Sequence, residues 1–300
     1  MASTPRSPTP DDYRACMMET PRTVTTTAGP VECAQRGKGE PVLAIHGTLG
    51  GWDQGLVGAE FLRVNGYQII APSRPGYLGT PLSTGRTFAA QGDALAALLD
   101  ALQLNRVIVV AASGGGPAGY ELSARHPDRV SALVQLDSVC IPGKIPSRVA
   151  QLAARDVTTK MQLWLLRHAT KPTLTALLRA AGTYSNSEAS KRAAMLAAIP
   201  GRIVPLEATL RASLGSTRRR EGMRNDFIEF TPAPVERITC PTLLVHGSWD
   251  KIVPPVNAEY AHARISKSKL HWLDGSHVAF ALEAADTAPA FIVNWLLEHA

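Results

Sequence analysis

Short apolar runs alternate along the chain, from residue 41 onwards, with longer stretches whose apolar residues recur at helical spacing. The runs are rich in Val, Ile and Leu, as buried strands are. This alternation is typical of a mostly parallel sheet covered by helices on both faces, so we predict an α/β fold. The predicted strands are 41–45, 68–71, 106–112, 130–136, 242–246 and 269–272, preceded by a hairpin at 24–27 and 31–35, and the predicted helices are 87–102, 117–126, 256–264 and 278–298.

Residues 142–234 interrupt this rhythm, because they contain no convincing strand. Apolar residues recur there at helical spacing, beginning with Val149, Ala153, Val157, Met161 and Trp164. We therefore predict a helical cap at 142–234, inserted into a core domain that comprises 22–141 and 235–300. Residues 1–21 are rich in Ser, Thr and Pro, and we expect them to form a disordered tail.

The formal net charge of the 300-residue chain is +6, and the excess is concentrated in one segment. Residues 141–235 contain 15 basic and 6 acidic residues, whereas the rest of the chain contains 16 and 19. Such a segment is either a solvated basic face or a surface that attracts anionic substrates. It lacks interleaved aromatic residues and any recognised reading motif, so we expect no nucleic-acid partner.

Composition excludes several classes of protein. The chain is 45% hydrophobic and 19% charged, and no run of about 18 apolar residues could span a bilayer, which excludes collagen-like, wholly disordered and integral-membrane proteins. Four cysteines without a C-x-x-C pair predict neither a disulfide framework nor a metal site. Because the N-terminus lacks the apolar region of a secretory signal, we expect a cytoplasmic protein. We also expect no membrane insertion, no bound metal and no cofactor.

One serine stands where a nucleophile would be expected. Ser113 follows a predicted buried strand and precedes three glycines and Pro117, a residue favoured in the first turn of a helix. A sharp strand-to-helix turn strains the serine backbone and requires small neighbours, which Ala111 and Gly115 supply. The free N–H groups at the start of the following helix favour a developing oxyanion at the same place.

A serine hydroxyl needs a base, and the base needs a carboxylate to orient it. Asp250 and His277 follow two successive predicted strands. Parallel strands end at the same edge of a sheet, so both side chains should reach the edge that carries Ser113. We predict a catalytic triad of Ser113, His277 and Asp250, with Asp137, which also ends a strand, as the alternative acid.

These residues lie in motifs that resemble those of the α/β-hydrolase superfamily, over residues 31–300. The nucleophile motif of that family matches residues 111–115, its oxyanion motif matches 46–51, and its turn after the fourth strand matches 73–80. Asp250 and His277 stand where the family keeps its acid and base. The sequence departs from the pattern at Ala111, where the family usually has glycine.

The resemblance implies an esterase-like serine hydrolase, which cleaves a carboxylic ester or a related acyl compound through an acyl-serine intermediate. It implies that the backbone N–H groups of Thr48 and Gly114 form the oxyanion hole. It also implies a small-molecule acyl substrate, no cofactor and a helical cap. The serine argues against haloalkane dehalogenase and epoxide hydrolase chemistry, for which the family uses a carboxylate.

Several alternatives use the same residues differently. Acyltransferases and carbon–carbon bond hydrolases share this apparatus, and a hydrolase scaffold can also bind a ligand without turnover. Residues 114–119 formally satisfy G-x-G-x-x-G, and Asp137 follows about 20 residues on, as in a dinucleotide-binding oxidoreductase. That alternative leaves Ser113, Asp250 and His277 unexplained, so we favour the hydrolase.

Overall fold

The computed structural model describes residues 4–142, 155–228 and 231–300. Their strands are β1 Arg22–Thr26, β2 Gly29–Arg36, β3 Pro41–Ile45, β4 Gln68–Pro72, β5 Val107–Ala112, β6 Val130–Leu136, β7 Thr242–Gly247 and β8 Ser268–Leu273. They form one sheet in the order β1-β2-β4-β3-β5-β6-β7-β8. β2 pairs antiparallel with β1 and β4, and the remaining neighbours run parallel.

The helices surround this sheet and fill the stretch between β6 and β7. They are α1 Pro10–Met17, α2 Trp52–Arg63, α3 Phe88–Ala101, α4 Gly116–Arg125, α5 Asp156–His168, α6 Thr170–Ala181, α7 Asn186–Ala197, α8 Val204–Arg211, α9 Arg220–Ile228, α10 Val256–His262 and α11 Ala288–His299. We refer to residues 155–228, which carry α5 to α9, as the helical insertion, and to the other described residues as the main body. The predicted α/β fold is confirmed.

Alternating side chains of the central strands build a core on each face of the sheet, because successive residues of a strand point to opposite faces. On β3, Val42 and Ala44 belong to the core that includes α2 and α11. Leu43 and Ile45 belong to the core that includes α3 and α4. All six predicted strands are confirmed, and their ends differ from the prediction by at most one residue.

The helical insertion has a small apolar core of its own, which also contacts Leu282 of the main body. Part of the apolar pattern seen in the sequence faces solvent instead. Val157, Met161 and Trp164 are 74%, 56% and 56% exposed, whereas Val149 and Ala153 lie outside the described residues. The helical spacing thus predicted α5 correctly but did not identify its buried face.

The expected disordered tail at 1–21 is wrong over Pro10–Met17, which form α1. Thr9 caps this helix: its side chain accepts a hydrogen bond from the N–H of Asp12, and the Asp12 carboxylate accepts one from the N–H of Thr9. Cys16 is buried in the same core as α2. The capping-box pattern of Thr9 and Asp12 is the sequence signal for this helix.

Two other helices differ from the sequence prediction. α2 was not predicted, because Gly55 and Gly58 disfavour a helix and dilute its apolar pattern. α11 begins at Ala288, since Pro289 fits the first turn of a helix. Residues 278–287, which were predicted to be helical, form turns instead.

No helix among residues 4–142, 155–228 and 231–300 is long and apolar enough to cross a bilayer.

Candidate active site

Ser113 lies at the tight turn between β5 and α4. Its φ of 49° is in the left-handed region, which is strained for a residue with a side chain. The turn is possible because its neighbours are small: a Cβ on Gly115 would lie 2.3 Å from the carbonyl oxygen of His46, and one on Gly47 would lie 3.1 Å from the Cβ of Ser113. Ala111, which replaces the expected glycine, is fully buried and does not prevent this turn.

The structure brings His277 and Asp250 to Ser113 from the ends of β8 and β7. The Oγ of Ser113 lies 3.1 Å from Nε2 of His277, and Nδ1 of His277 lies 2.7 Å from Oδ2 of Asp250. The other oxygen of Asp250 accepts hydrogen bonds from the N–H groups of Ile252 and Val253. Because Nδ1 donates to a fixed carboxylate, Nε2 faces the serine as an acceptor.

His277 is held in an environment that favours its protonated form. Burial opposes a charged imidazolium, but the hydrogen bond and the negative charge of Asp250, together with Asp137, outweigh burial and raise the pKa of His277. A base that stabilises the proton it receives is suited to the transfer of a proton from a hydroxyl group.

Asp137, the alternative acid, lies at the end of β6, and its backbone also has a positive φ, 46°. Its Oδ1 accepts a hydrogen bond from the N–H of Gly247 at 2.7 Å. Burial raises the pKa of Asp137 to about 7, and the negative charge of Asp250 acts in the same direction. Since Asp250 accepts the Nδ1 hydrogen bond of His277, the geometry favours Asp250 as the acid.

The backbones of Thr48 and Gly114 approach each other next to Ser113. A Cβ on Gly114 would lie 3.2 Å from the backbone nitrogen of Thr48. Gly114 stands in the first turn of a short 3-10 helix over Ser113–Gly115, where N–H groups have no partner within the helix. Donors in this position can stabilise negative charge on an oxygen bound at Ser113.

The other two histidines at strand ends are held by internal hydrogen bonds. Nδ1 of His46 donates to the carbonyl oxygen of Gly47, and its Nε2 accepts from the backbone N–H of Arg74. Burial, together with the nearby Arg74 charge, lowers the pKa of His46 well below its usual range. His246 donates from Nε2 to the carbonyl oxygen of Val253. Both rings therefore have structural roles.

One group of side chains in the described part of the chain could bring three metal-ligating atoms together. Asp137, His246 and Asp250 are buried, and their ligand atoms lie within 4.8 Å of one another. Each side chain already makes an internal hydrogen bond. These bonds account for the cluster without an ion.

The glycines of residues 114–119 pack against the protein. A Cβ on Gly116 would lie 2.6 Å from the Cβ of Ser138, and one on Gly119 would lie 2.9 Å from the Cβ of Ala111. The close approach of α4 to the neighbouring strands explains these glycines. The structure gives no support to a dinucleotide site here.

A cavity of about 260 Å³ opens beside Ser113 and His277. Leu206 and Thr209 of α8 line it together with residues of the main body, so the helical insertion forms part of its wall.

Asp226 of α9 fastens the helical insertion to the loops behind Ser113. Its carboxylate receives two hydrogen bonds from the buried guanidinium of Arg74, at 2.9 and 2.7 Å. It also accepts from the hydroxyl groups of Tyr77, at 2.6 Å, and Thr48, at 3.0 Å. A single carboxylate thus joins the insertion to Arg74, Tyr77 and Thr48, in the turns that follow β4 and β3.

Arginines of the helical insertion also pair with carboxylates of the main body. These pairs include Arg192 with Asp274, Arg202 with Asp286 and Arg219 with Asp53. Part of the excess positive charge of the insertion is therefore used in contacts with the negatively charged main body. Sequence reasoning missed Asp226, Arg74 and Arg219, because the Arg74–Asp226 partners are 152 residues apart and the Arg219–Asp53 partners 166.

A family model for the alpha/beta hydrolase fold matches residues 40–284. The chain belongs to the α/β-hydrolase fold family. An α/β-hydrolase fold protein from Nakamurella multipartita has a solved structure that aligns with a TM-score of 0.81 and 35% identity, over 93% of this chain and 99% of that one.

Two curated relatives are also hydrolases by name. The uncharacterized hydrolase YcgS of Bacillus subtilis is 38% identical over 117 residues, which span 39% of this chain and only 41% of that protein. The 2-hydroxy-6-oxo-6-(2'-aminophenyl)hexa-2,4-dienoic acid hydrolase of Metapseudomonas resinovorans is 25% identical over 76% of this chain and 74% of that protein. The α/β-hydrolase described here is thus similar to hydrolases along most of its length.

Replacement of Asp226 by alanine should destabilise the α/β-hydrolase strongly. The guanidinium of Arg74, which is fully buried, would lose its counter-charge, and removal of one partner of a buried ion pair costs about 3–5 kcal/mol. Urea denaturation measures this loss. In the control variant Asp286→Ala, the lost partner of Arg202 is 60% exposed, and the expected loss is about 0–1 kcal/mol. Equal losses in the two variants would contradict the role of Asp226.

Asp137 should make the free energy of unfolding fall as the pH rises from about 4 to about 7. Its pKa is about 7 in the folded protein, against about 3.9 in an unfolded chain. In this window the folded state keeps a proton that the unfolded state releases, so stability present at low pH is lost as the pH increases.

The variant Asp137→Asn cannot titrate. It should be more stable than the wild type at pH 8, by on the order of 2–4 kcal/mol, and the difference should vanish near pH 4. Urea denaturation across this pH range tests the expectation, which parallel stability curves for the two proteins would contradict.

Proposed function

We propose that this α/β-hydrolase is a serine hydrolase that cleaves a carboxylic ester or a related acyl compound through an acyl-Ser113 intermediate. The observation that carries the proposal is the hydrogen-bonded line from Ser113 through His277 to Asp250, with distances of 3.1 and 2.7 Å. In this proposal the N–H groups of Thr48 and Gly114 stabilise an oxyanion, which is the second requirement of acyl transfer.

In the acylation half of the reaction, Oγ of Ser113 attacks the carbonyl carbon of the substrate while Nε2 of His277 removes the hydroxyl proton. The electron pair of the carbonyl bond moves to its oxygen, and the N–H groups of Thr48 and Gly114 stabilise the negative charge. His277 then donates the proton to the leaving alcohol oxygen as the carbon–oxygen bond breaks. The acyl group remains on Ser113.

In the second half, a water molecule takes the place of the alcohol. Nε2 of His277 removes a proton from this water while its oxygen attacks the acyl carbon, and the same N–H groups stabilise the second oxyanion. The bond to Oγ of Ser113 then breaks, and Oγ recovers its proton from His277. The products are the carboxylic acid and the free enzyme.

Asp250 acts by orientation and charge. Its hydrogen bond holds the Nδ1 proton, so Nε2 is the basic nitrogen, and its negative charge stabilises the imidazolium that forms in each half of the reaction. The raised pKa of His277 is consistent with this arrangement.

We infer that residues 142–234 act as a cap, as the sequence pattern suggested. Leu206 and Thr209 line the cavity beside Ser113 from the insertion side. The peptide N–H groups of Lys251 and His277 both donate to the carbonyl oxygen of Ala181, at the end of α6. The insertion is thereby bonded to the loops that carry the acid and the base.

Replacement of Ser113 by alanine should abolish ester hydrolysis, because it removes the hydroxyl group that lies 3.1 Å from Nε2 of His277. We expect kcat for a 4-nitrophenyl ester to fall by about 10⁴–10⁶-fold. A fluorophosphonate probe should add its phosphonyl group to Ser113 of the wild type and leave the variant unlabelled, as peptide mass spectrometry would show. Retention of full esterase activity by Ser113→Ala would exclude the mechanism.

The two candidate acids should differ sharply in their effect on the rate. Asp250→Asn should lower kcat by about 10⁴-fold, since it favours the wrong tautomer of His277. Asp137→Asn, the matched variant at the neighbouring strand end, should lower kcat by less than about tenfold, because Asp137 is bonded to Gly247 rather than to His277. The reverse order of the two effects would assign the acid to Asp137.

A further inference from the structure

The walls of the cavity beside Ser113 include a group of apolar residues outside the candidate triad. Besides the ends of β3, β5 and β6, three elements line the cavity: α2, α8 of the helical insertion and the turns that follow His277. We refer to this part of the cavity as the apolar slot, and it is formed by Gly55, Gly58, Ala59, Leu206, Phe280 and Ala281. Gly58 and Ala59 stand three and four positions after Gly55, so these residues of α2 present one face of the helix to the cavity.

The charges around the cavity argue against an anionic guest. Among the described residues that line it, there is no lysine or arginine, and Asp137 is the sole carboxyl group. A carboxylate at the end of the acyl chain would meet no lysine or arginine among these lining residues, and burial of an unpaired charge is strongly unfavourable. The slot therefore suits a neutral hydrocarbon group, despite the basic residues on the outside of the insertion.

The reaction cycle indicates which part of the substrate uses the slot. The acyl group stays bonded to Ser113 while the alcohol leaves and water enters. An apolar slot is suited to the acyl group, which stays bonded to Ser113. It also keeps water away from the hydrocarbon part of this group, while the acyl carbon stays open to attack. The leaving group has to depart towards solvent before the second half of the reaction.

Gly58 is the residue of α2 whose presence the fold does not explain. Glycine is unfavourable inside a helix. Gly55 has a packing reason, because a Cβ there would lie 2.8 Å from the carbonyl oxygen of Ala44, whereas a Cβ on Gly58 would meet no atom within 4 Å. A side chain at position 58 would enter empty space in the slot, so its absence keeps the slot open. Such departures from local preference are expected at functional sites.

We infer that the apolar slot holds the hydrocarbon chain of a neutral acyl group, and that Gly58 sets the greatest length of this chain. The inference rests on the proposed function, since it requires an acyl-Ser113 intermediate. The cavity, about 260 Å³, is smaller than the roughly 300–1,000 Å³ typical of sites for drug-sized ligands, so we expect it to hold an acyl chain of short to medium length.

The test is the dependence of kcat/KM on acyl length, with 4-nitrophenyl esters from acetate to decanoate. The wild type should have its highest kcat/KM with acyl chains in the range from butanoate through octanoate. In Gly58→Leu the preference should move to acetate, and the ratio of kcat/KM for hexanoate to that for acetate should fall at least about tenfold. Gly58→Ala should shift the ratio less, in the same direction. An unchanged ratio in both variants overturns the inference.

Two controls separate the slot from general effects on the protein. Ala101→Leu adds a leucine at the exposed end of α3 and should leave the ratio as in the wild type. Gly58→Ala should fold and raise the melting temperature, since alanine favours a helix and its Cβ meets no other atom. If Gly58→Leu does not fold, the ratio in Gly58→Ala decides the question.

Two further substrate series test the chemical class. For hexanoate esters of alcohols of increasing length, the effect of Gly58→Leu should not grow with the alcohol, and growth with the alcohol would assign the slot to the leaving group. The mono-4-nitrophenyl ester of adipic acid matches the hexanoate ester but ends in a carboxylate. Its kcat/KM in the wild type should be at least about a hundredfold lower, and equal values would overturn the assignment to neutral acyl groups.

Fluorophosphonate labelling of the wild type distinguishes a failure of the slot assignment from a failure of the proposed function. If Ser113 is labelled and the esters are cleaved, but the hexanoate-to-acetate ratio is the same in all variants, the assignment of the slot fails and the proposed function stands. If Ser113 is not labelled and no ester is cleaved, the proposed function fails, and the assignment of the slot fails with it.

Discussion

Five neighbouring parallel strands of the described sheet end at one edge, and the candidate site depends on this alignment. β3 leads to Thr48, β5 to Ser113, β6 to Asp137, β7 to Asp250 and β8 to His277. Residues as far apart in the chain as Ser113 and His277, 164 positions, thereby meet at hydrogen-bond distance. The buried cores on both faces hold the strands in register, so short loops are enough to place each group.

The same edge carries local arrangements that oppose stability. Ser113 and Asp137 both have a backbone in the left-handed region, and the buried Asp137 shifts towards its neutral form. Strain and buried ionisable groups of this kind persist only where the surrounding structure compensates for them. Here the compensation comes from apolar cores that contain every central strand. Disagreement between local preferences and the overall fold is expected at functional sites.

The uneven distribution of charge has a structural meaning. A basic insertion and a mildly acidic main body attract each other, and several of their arginines and carboxylates are paired across the contact. Two of these pairs, Arg74–Asp226 and Arg219–Asp53, are buried, and in each the guanidinium donates two hydrogen bonds to the carboxylate. The first connects α9 with the turn after β4, and the second connects the residue before α9 with the first turn of α2. Asp226 of α9 also accepts a hydrogen bond from Thr48, in the loop after β3. The described residues that line the cavity include no lysine or arginine, so the positive charge of the insertion does not extend into the cavity.

The sequence by itself determined the strands, the order of the sheet-edge motifs and the residues of the candidate triad, because apolar periodicity and turn chemistry are local properties. The capping-box pattern that begins α1 is also present in the sequence, although the prediction did not use it. No comparable signal marks α2, whose glycines weaken the helical pattern. Only the tertiary structure decided that Asp250 rather than Asp137 bonds to His277, that Asp226 reaches Arg74, and that Gly58 opens into a cavity. These are contacts between residues far apart in the chain, and their geometry exists only after the sheet and the insertion have packed together.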